Sequence, residues 1–152
     1  MTDDARIARI LTDVKTIALV GWSPKPDRPS HRVAAYLAAR GYRVIPVNPG
    51  QAGEDSGLGE VVRASLAEVG PVDMVDIFRR SEEVGPVVDE AIASGAKVIW
   101  MQLGIENPDA AAKAKAAGME VVMNRCPKIE YQRLFGELRM GGFATGIISA
   151  KL

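Results

Sequence analysis

Short runs rich in valine and isoleucine alternate along the chain with amphipathic stretches of roughly three turns. The runs 16–22 (TIALVGW), 42–48 (YRVIPVN), 72–78 (VDMVDIF), 97–102 (KVIWMQ) and 120–124 (EVVMN) predict β-strands. Most are nearly continuous in apolar residues, the pattern of strands covered on both faces. Between them, helical spacing predicts helices over 30–40, 81–94, 107–117 and 129–139. Gly41, Gly95 and Gly118 follow three of these, where a left-handed C-terminal cap belongs. Ser30 and Ser81 are the expected N-caps, and Glu83 makes the first turn after Ser81 acidic. The stretch 60–67 reads as a short edge strand (EVV) followed by a helical turn.

Alternation of strand and helix implies parallel strands joined by right-handed crossovers, and hence an open doubly wound α/β sheet with helices on both faces. The 152 residues suit one domain that buries about 70% of its unfolded surface. No repeat or linker marks a second domain, and the tail 139–152 is expected to be mobile in part. No apolar run approaches the ~20 residues that span a bilayer. The start, MTDDARIARIL, lacks the apolar core of a leader, so a cytoplasmic location is expected, with no membrane partner. Nineteen basic residues balance nineteen acidic ones, which argues against a general nucleic-acid binder. A single cysteine, Cys126, excludes an intrachain disulfide and a cysteine-cluster metal site.

Ligands of such sheets bind beyond the carboxyl ends of the strands. The first of those loops, Gly21 to His31 (GWSPKPDRPSH), departs from the dinucleotide fingerprint. Gly21 stands alone, prolines and cations replace the later glycines, and the second strand ends in Asn48 instead of an acidic ribose ligand. Both halves of an NAD signature therefore fail. The rim carries Lys25, Arg28, Arg79, Arg80 and Arg125, a concentration of positive charge suited to an anionic ligand. His31, the one histidine, has no acidic partner in the sequence and reads as a capping or loop residue. Cys126 lies at a strand end before Pro127; at the N-terminus of the last helix and beside Arg125 its thiolate would be favoured, whereas otherwise it is a small buried thiol. No nucleophile–base pair, carboxylate pair or metal-ligand set can be assembled, so no residue is assigned a catalytic or metal-binding role.

The segments VGWSPKPDRPSHRVAAYLAARGYRVIPVNP, VDMVDIFRRSEEV, VIWMQLGI and NRCPKIEYQRL, in this order, resemble the stand-alone CoA-binding proteins. That family is similar to the CoA-binding domain of the succinyl-CoA synthetase α subunit. The resemblance covers about residues 7–138 and implies a single Rossmann-like, three-layer α/β/α domain that holds coenzyme A in extended form. It places Gly21, Trp22, Ser23, Lys25, Arg28, Ser30 and His31 near the phosphates, and Asn48 and Pro49 at the ADP end. Phe78, Arg79 and Arg80 would lie beside the adenosine or ribose phosphate, and Gln102, Leu103, Gly104 and Ile105 along the pantetheine arm. The synthetase has a lysine where this chain has Gln51, and its phosphorylated histidine belongs to a second domain without a counterpart here, so ligase activity does not carry over. The expected protein binds CoA or acyl-CoA as a carrier, sensor or regulatory module, monomeric or weakly homo-oligomeric. An acyl-CoA-handling transferase or thiol-reactive enzyme using Cys126 or His31, and an NAD(P)-binding regulator, are the alternatives. CoA carries a 3′-phosphate besides its pyrophosphate. A basic loop offers charge-assisted contacts to that extra charge, and its prolines lower the cost of ordering it. Cys126 would then be prone to mixed disulfides with CoA.

Overall fold

The structure, a computed structural model, describes residues 2–136. Its strands are β1 (Thr16–Val20), β2 (Arg43–Val47), β3 (Met74–Ile77), β4 (Val98–Met101) and β5 (Glu120–Met123). Its helices are α1 (Asp3–Asp13), α2 (Pro29–Ala39), α3 (Leu66–Val69), α4 (Val84–Ser94), α5 (Pro108–Ala116) and α6 (Pro127–Leu134). The described residues form one parallel five-stranded sheet in the order β2-β1-β3-β4-β5. This is the doubly wound α/β architecture expected from the alternating pattern.

Strand alternation sends Ile17, Leu19, Val44, Met74, Trp100 and Val122 to one face, under α1, α2 and α6. Ala18, Val20, Ile45, Val75, Ile77, Ile99 and Met101 pack on the other, under α3, α4 and α5. In β1 all of Ile17, Ala18, Leu19 and Val20 are buried, which is why that strand reads as continuous apolar sequence. Each such side chain contributes about 1.5–3 kcal/mol on full burial, so the two layers hold the strand ends, and the loops on them, in fixed positions.

Several local expectations are corrected. Ser30 does not cap α2: Pro29 starts the helix with Arg28 as an unbonded cap, because proline's fixed φ and missing N–H suit the first helical position. Ser81 opens a short 3₁₀ turn, and α4 begins three residues later. The stretch 60–67 forms no strand, only single bridges from Val61 to Asp55 and from Arg63 to Val47, before α3. The last helix starts earlier than expected, again at a proline, and is capped by Phe135 with Gly136 at φ 75° beyond it. The expected tail 139–152 lies outside the described residues. Helix α1 was not anticipated. Thr2 caps it through a bond from the Ala5 amide, and it buries Ile7, Ile10 and Leu11 on the sheet.

Candidate functional site

The chain leaves β1 for β2 on one side and returns to β3 on the other, so the strand order reverses between β1 and β3. Loops diverge at such a point and leave a crevice. Gly21 and Phe78 follow these two strands and touch: a Cβ on Gly21 would stand 2.3 Å from the Phe78 carbonyl oxygen, and Gly21 has φ 96°. Only glycine allows both.

On the β1–β2 side, the loop after Gly21 is closed by its own polar groups. The Ser23 amide donates to Ser30 Oγ at 3.0 Å, and His31 Nδ1 lies 3.0 Å from the Ser23 carbonyl oxygen. A carbonyl only accepts, so Nδ1 carries the proton. Ser23 Oγ accepts from the Lys25 amide, and the His31 ring stacks on Trp22 with centroids 5.6 Å apart. Trp22 is itself buried, with Nε1 unpartnered. These contacts give Ser23, Ser30 and His31 a demonstrable part in shaping the loop. The His31 amide bonds to the Arg28 carbonyl, and Pro29 has no N–H. Of the first α2 amides, that leaves Ser30's for an anion. Lys25 and Arg28 are exposed on this loop, with no side-chain ion pair among the described residues.

Asn48, expected at the ADP end, has its side chain engaged within the protein. Its Nδ2 donates to the Trp22 carbonyl at 2.7 Å and its Oδ1 accepts from the Gly50 amide at 2.9 Å, so it ties the β2 end to the β1 loop. Pro49 starts the 3₁₀ turn that follows.

On the β3–β4 side lies a cavity of about 950 Å³. Phe78, Arg79, Arg80 and Ser81 wall it after β3, and Gln102, Leu103, Gly104 and Ile105 after β4. Pro29, Arg32 and Val33 come from α2, while Cys126, Lys128, Ile129 and Gln132 come from the start of α6. The structure therefore brings seven of the expected site residues into one cavity: Phe78, Arg79, Arg80, Gln102, Leu103, Gly104 and Ile105. Gly21, Trp22, Ser23, Lys25, Arg28, Ser30, His31, Asn48 and Pro49 lie outside it, on the other half of the crevice. Arg32, Lys128, Ile129 and Gln132 were not anticipated.

Two features of the cavity call for a ligand. Gln102 is 6% exposed, and its Oε1 is buried with no hydrogen-bond partner. An unpartnered buried acceptor costs about 1–3 kcal/mol, which a donor would recover once the side chain turns toward the cavity that it lines. The walls also carry Arg32, Arg79, Arg80 and Lys128 against the one carboxylate of Glu82. Arg80 is partly committed, donating to Glu83 at 2.9 Å, and this bond holds the Glu83 carboxyl below its ordinary range. Arg79 makes no such pair and is the more available cation.

The cavity's shape depends on interloop bonds. The Ser81 hydroxyl accepts from the Glu106 amide and its carbonyl from Asn107 Nδ2, which explains why Ser81 is not a helix cap. Asn124 sits at φ 59°, and its Oδ1 accepts from the Gly104 amide at 2.7 Å. Cys126 does cap α6, but it is buried, and Arg125 bonds to Glu130 instead.

Asp76 was also not anticipated. It lies in β3, fully buried between Leu19 and Trp100, with neither oxygen bonded. Burial pushes its carboxyl well above the ordinary range. An acid inside the apolar run VDMVDIF was the available signal. Among the described residues, no group of three or more His, Cys, Asp or Glu is placed to hold a metal.

Comparison with known proteins adds a family. Residues 15–132 match the family described as CoA binding domain. YneT of Bacillus subtilis (strain 168), itself described as uncharacterized, is 41% identical over 128 residues, covering 84% of this chain and 93% of its own. A solved Thermus thermophilus protein is 39% identical with a TM-score of 0.84, covering 88% of this chain and 100% of that one. A hypothetical protein from Pyrococcus horikoshii is 40% identical with a TM-score of 0.80, covering 88% and 92%.

Proposed function

Because this chain belongs to the CoA binding domain family, we propose that it binds coenzyme A or an acyl-CoA across the β1–β3 crevice. Acting as a carrier, sensor or regulatory module, it performs no catalytic step of its own. The 950 Å³ cavity at the switch point, with a broad apolar wall and the cations Arg32, Arg79, Arg80 and Lys128 around it, carries this reading. It suits a ligand with a phosphate-bearing end and a long uncharged arm, and the amide groups of a pantetheine arm lie within reach of the Gln102 side chain that lines the wall. Lys25 and Arg28 on one half, with Arg79 at the boundary, supply charge for the pyrophosphate and the 3′-phosphate. Gly21, Trp22, Ser23, Ser30 and His31 form the loop that presents this charge, and Asn48 and Pro49 brace it from β2. Phe78, Gly104 and Ile105 shape the channel.

NAD is the weaker candidate. It has no third phosphate for these cations, and Asn48 already uses its side chain on Trp22 and Gly50. The same reading puts the protein in the cytoplasm as a monomer or weak homo-oligomer, apart from nucleic acid and membrane. No described helix is long and apolar enough to cross a membrane.

Calorimetric titration with CoA, 3′-dephospho-CoA and NAD at two salt concentrations tests the proposal. CoA is expected to bind most tightly and NAD least. Loss of the 3′-phosphate removes about 1–2 kcal/mol after screening, roughly five- to thirtyfold in affinity. That gap should narrow as salt rises. NAD binding as tightly as CoA would overturn the assignment.

A further inference from the structure

Beyond the main cavity, the β4 and β5 ends border a second, solvent-open space of about 420 Å³. Leu103, Cys126 and Ile129 line both cavities and so form the partition between them. Met123, Asn124, Arg125, Glu106 and Glu130 complete the second one. We infer that this second cavity is an acyl subsite, which makes the preferred ligand a CoA thioester with a short, uncharged acyl chain. The inference rests on the CoA reading above and extends it.

Three observations carry it. The first is continuity. The two cavities share Leu103, Cys126 and Ile129, so an arm laid along Gln102 and Ile105 from the basic loop would carry the group on its sulfur into the second space.

The second is exposed apolar surface at the partition. Leu103 is 58% and Ile129 45% exposed, and they are two of the three large hydrophobic side chains exposed among the described residues. Both flank the route that an acyl chain would take. An apolar group laid between them removes that surface from water; CoA alone, ending in a thiol, leaves it wet.

The third is charge. The Arg125 guanidinium donates to Glu130 at 3.2 Å, and Glu130, itself 5% exposed, also accepts from Arg133 at 2.7 Å. Arg133 is further bonded to Asp4. The two cations are thus matched by two carboxylates, and Glu106 adds an unmatched negative charge to the wall. A terminal carboxylate on the acyl group meets no free cation there and one repelling anion. The wall accordingly selects a neutral chain over a dicarboxylic one.

Titrations with CoA, acetyl-CoA, butyryl-CoA, hexanoyl-CoA and succinyl-CoA test this. Affinity should rise along the neutral series by about two- to fourfold per methylene, the range from half to full burial. Succinyl-CoA should bind more weakly than butyryl-CoA. Glu106 is exposed and its backbone amide, not its side chain, makes the bond to Ser81, so substitutions there are compatible with folding. Glu106→Trp fills the space and should flatten the neutral series; Glu106→Lys should improve the succinyl-to-butyryl affinity ratio severalfold. If CoA binds and hexanoyl-CoA binds no tighter, the acyl subsite is wrong while the CoA reading stands. If CoA itself does not bind, both fall.

Discussion

Replacing Asp76 with asparagine should change the pH dependence of stability in a defined direction. Asp76 is fully buried in β3, and no donor reaches either oxygen. Burial raises its folded-state pKa well above the ordinary carboxylate value. In the unfolded chain the group ionises near about pH 3.9. Between the two pKa values the native state holds a proton that the unfolded state has released. Stability then falls as pH rises, by about 1.4 kcal/mol per pH unit. Asparagine has nearly the same shape and no titration, so it removes this slope. The difference in unfolding free energy, Asp76→Asn minus wild type, should therefore climb by about 1.4 kcal/mol per pH unit from about pH 4 upward, until the native carboxyl ionises. Asp4, Glu60, Asp73 and Glu83 have depressed values from their bonding partners, chiefly Arg133, Arg43, the Lys15 amide and Arg80. Their contribution runs the other way, lost as pH falls, but it is common to both proteins and cancels. Urea unfolding followed by circular dichroism at half-unit pH steps measures the difference. Parallel curves for the two proteins would refute the reasoning, because they would mean that Asp76 is hydrated or paired in solution.

Three further outcomes follow from the crevice. The double substitution Lys25→Ala, Arg28→Ala should weaken CoA binding at least about tenfold, each lost charge-assisted bond contributing about 1.5–3 kcal/mol before screening, with little change in melting temperature. Unchanged affinity would remove the loop from the site. Gly21→Ala should destabilise the fold by about 2–5 kcal/mol, the sum of a disfavoured positive φ and displacement of the Phe78 carbonyl; a melting temperature within about a degree of wild type would show that the β1–β3 contact yields easily. Cys126 should attack CoA disulfide to give a protein–CoA mixed disulfide and one released CoA thiolate, visible as a mass gain absent in Cys126→Ser. A reaction no faster than with cystamine would count against a thiol end docked beside it.

Much of the fold is legible because each strand had to be apolar on both faces. β1, β2, β3, β4 and β5 all fall inside the expected runs, trimmed where residues leave the ladder, as Gly21 does. The helix starts were read less well. Ser30 and Ser81 have the chemistry of caps, but the prolines at 29 and 127 set the helix starts, and both serines bond across loops instead. Such a choice depends on which distant amide lies within reach, and local sequence does not encode it. Helix α1 is legible in the spacing of Ile7, Ile10, Leu11 and Val14, one apolar face at helical period behind an acidic first turn.

The candidate site divides along the same line. Loops directly after strands could be named from the sequence, since the sheet alone dictates that they share a rim. Arg32, Lys128, Ile129 and Gln132 could not, because they enter the cavity only through the packing of α2 and α6 beside each other over the sheet. The division has a functional consequence. The half of the crevice built from local sequence is rigid and cationic: a proline-rich loop closed by Ser30 and His31 and braced by Asn48. The half built by tertiary packing adds a broad apolar wall and an exposed lip at Leu103 and Ile129, with Arg32, Arg79, Arg80 and Lys128 around it. A compact dinucleotide, charged at its middle and polar at both ends, would leave that apolar wall wet. A ligand with a nucleotide of three phosphates at one end and an uncharged amide-bearing arm at the other suits both halves in order. The apolar lip at Leu103 and Ile129, on the far side of Gly21 and Phe78 from the basic loop, is the physical argument for the proposed orientation, in which the phosphates lie toward β1 and β2 and the thiol end toward β4 and β5.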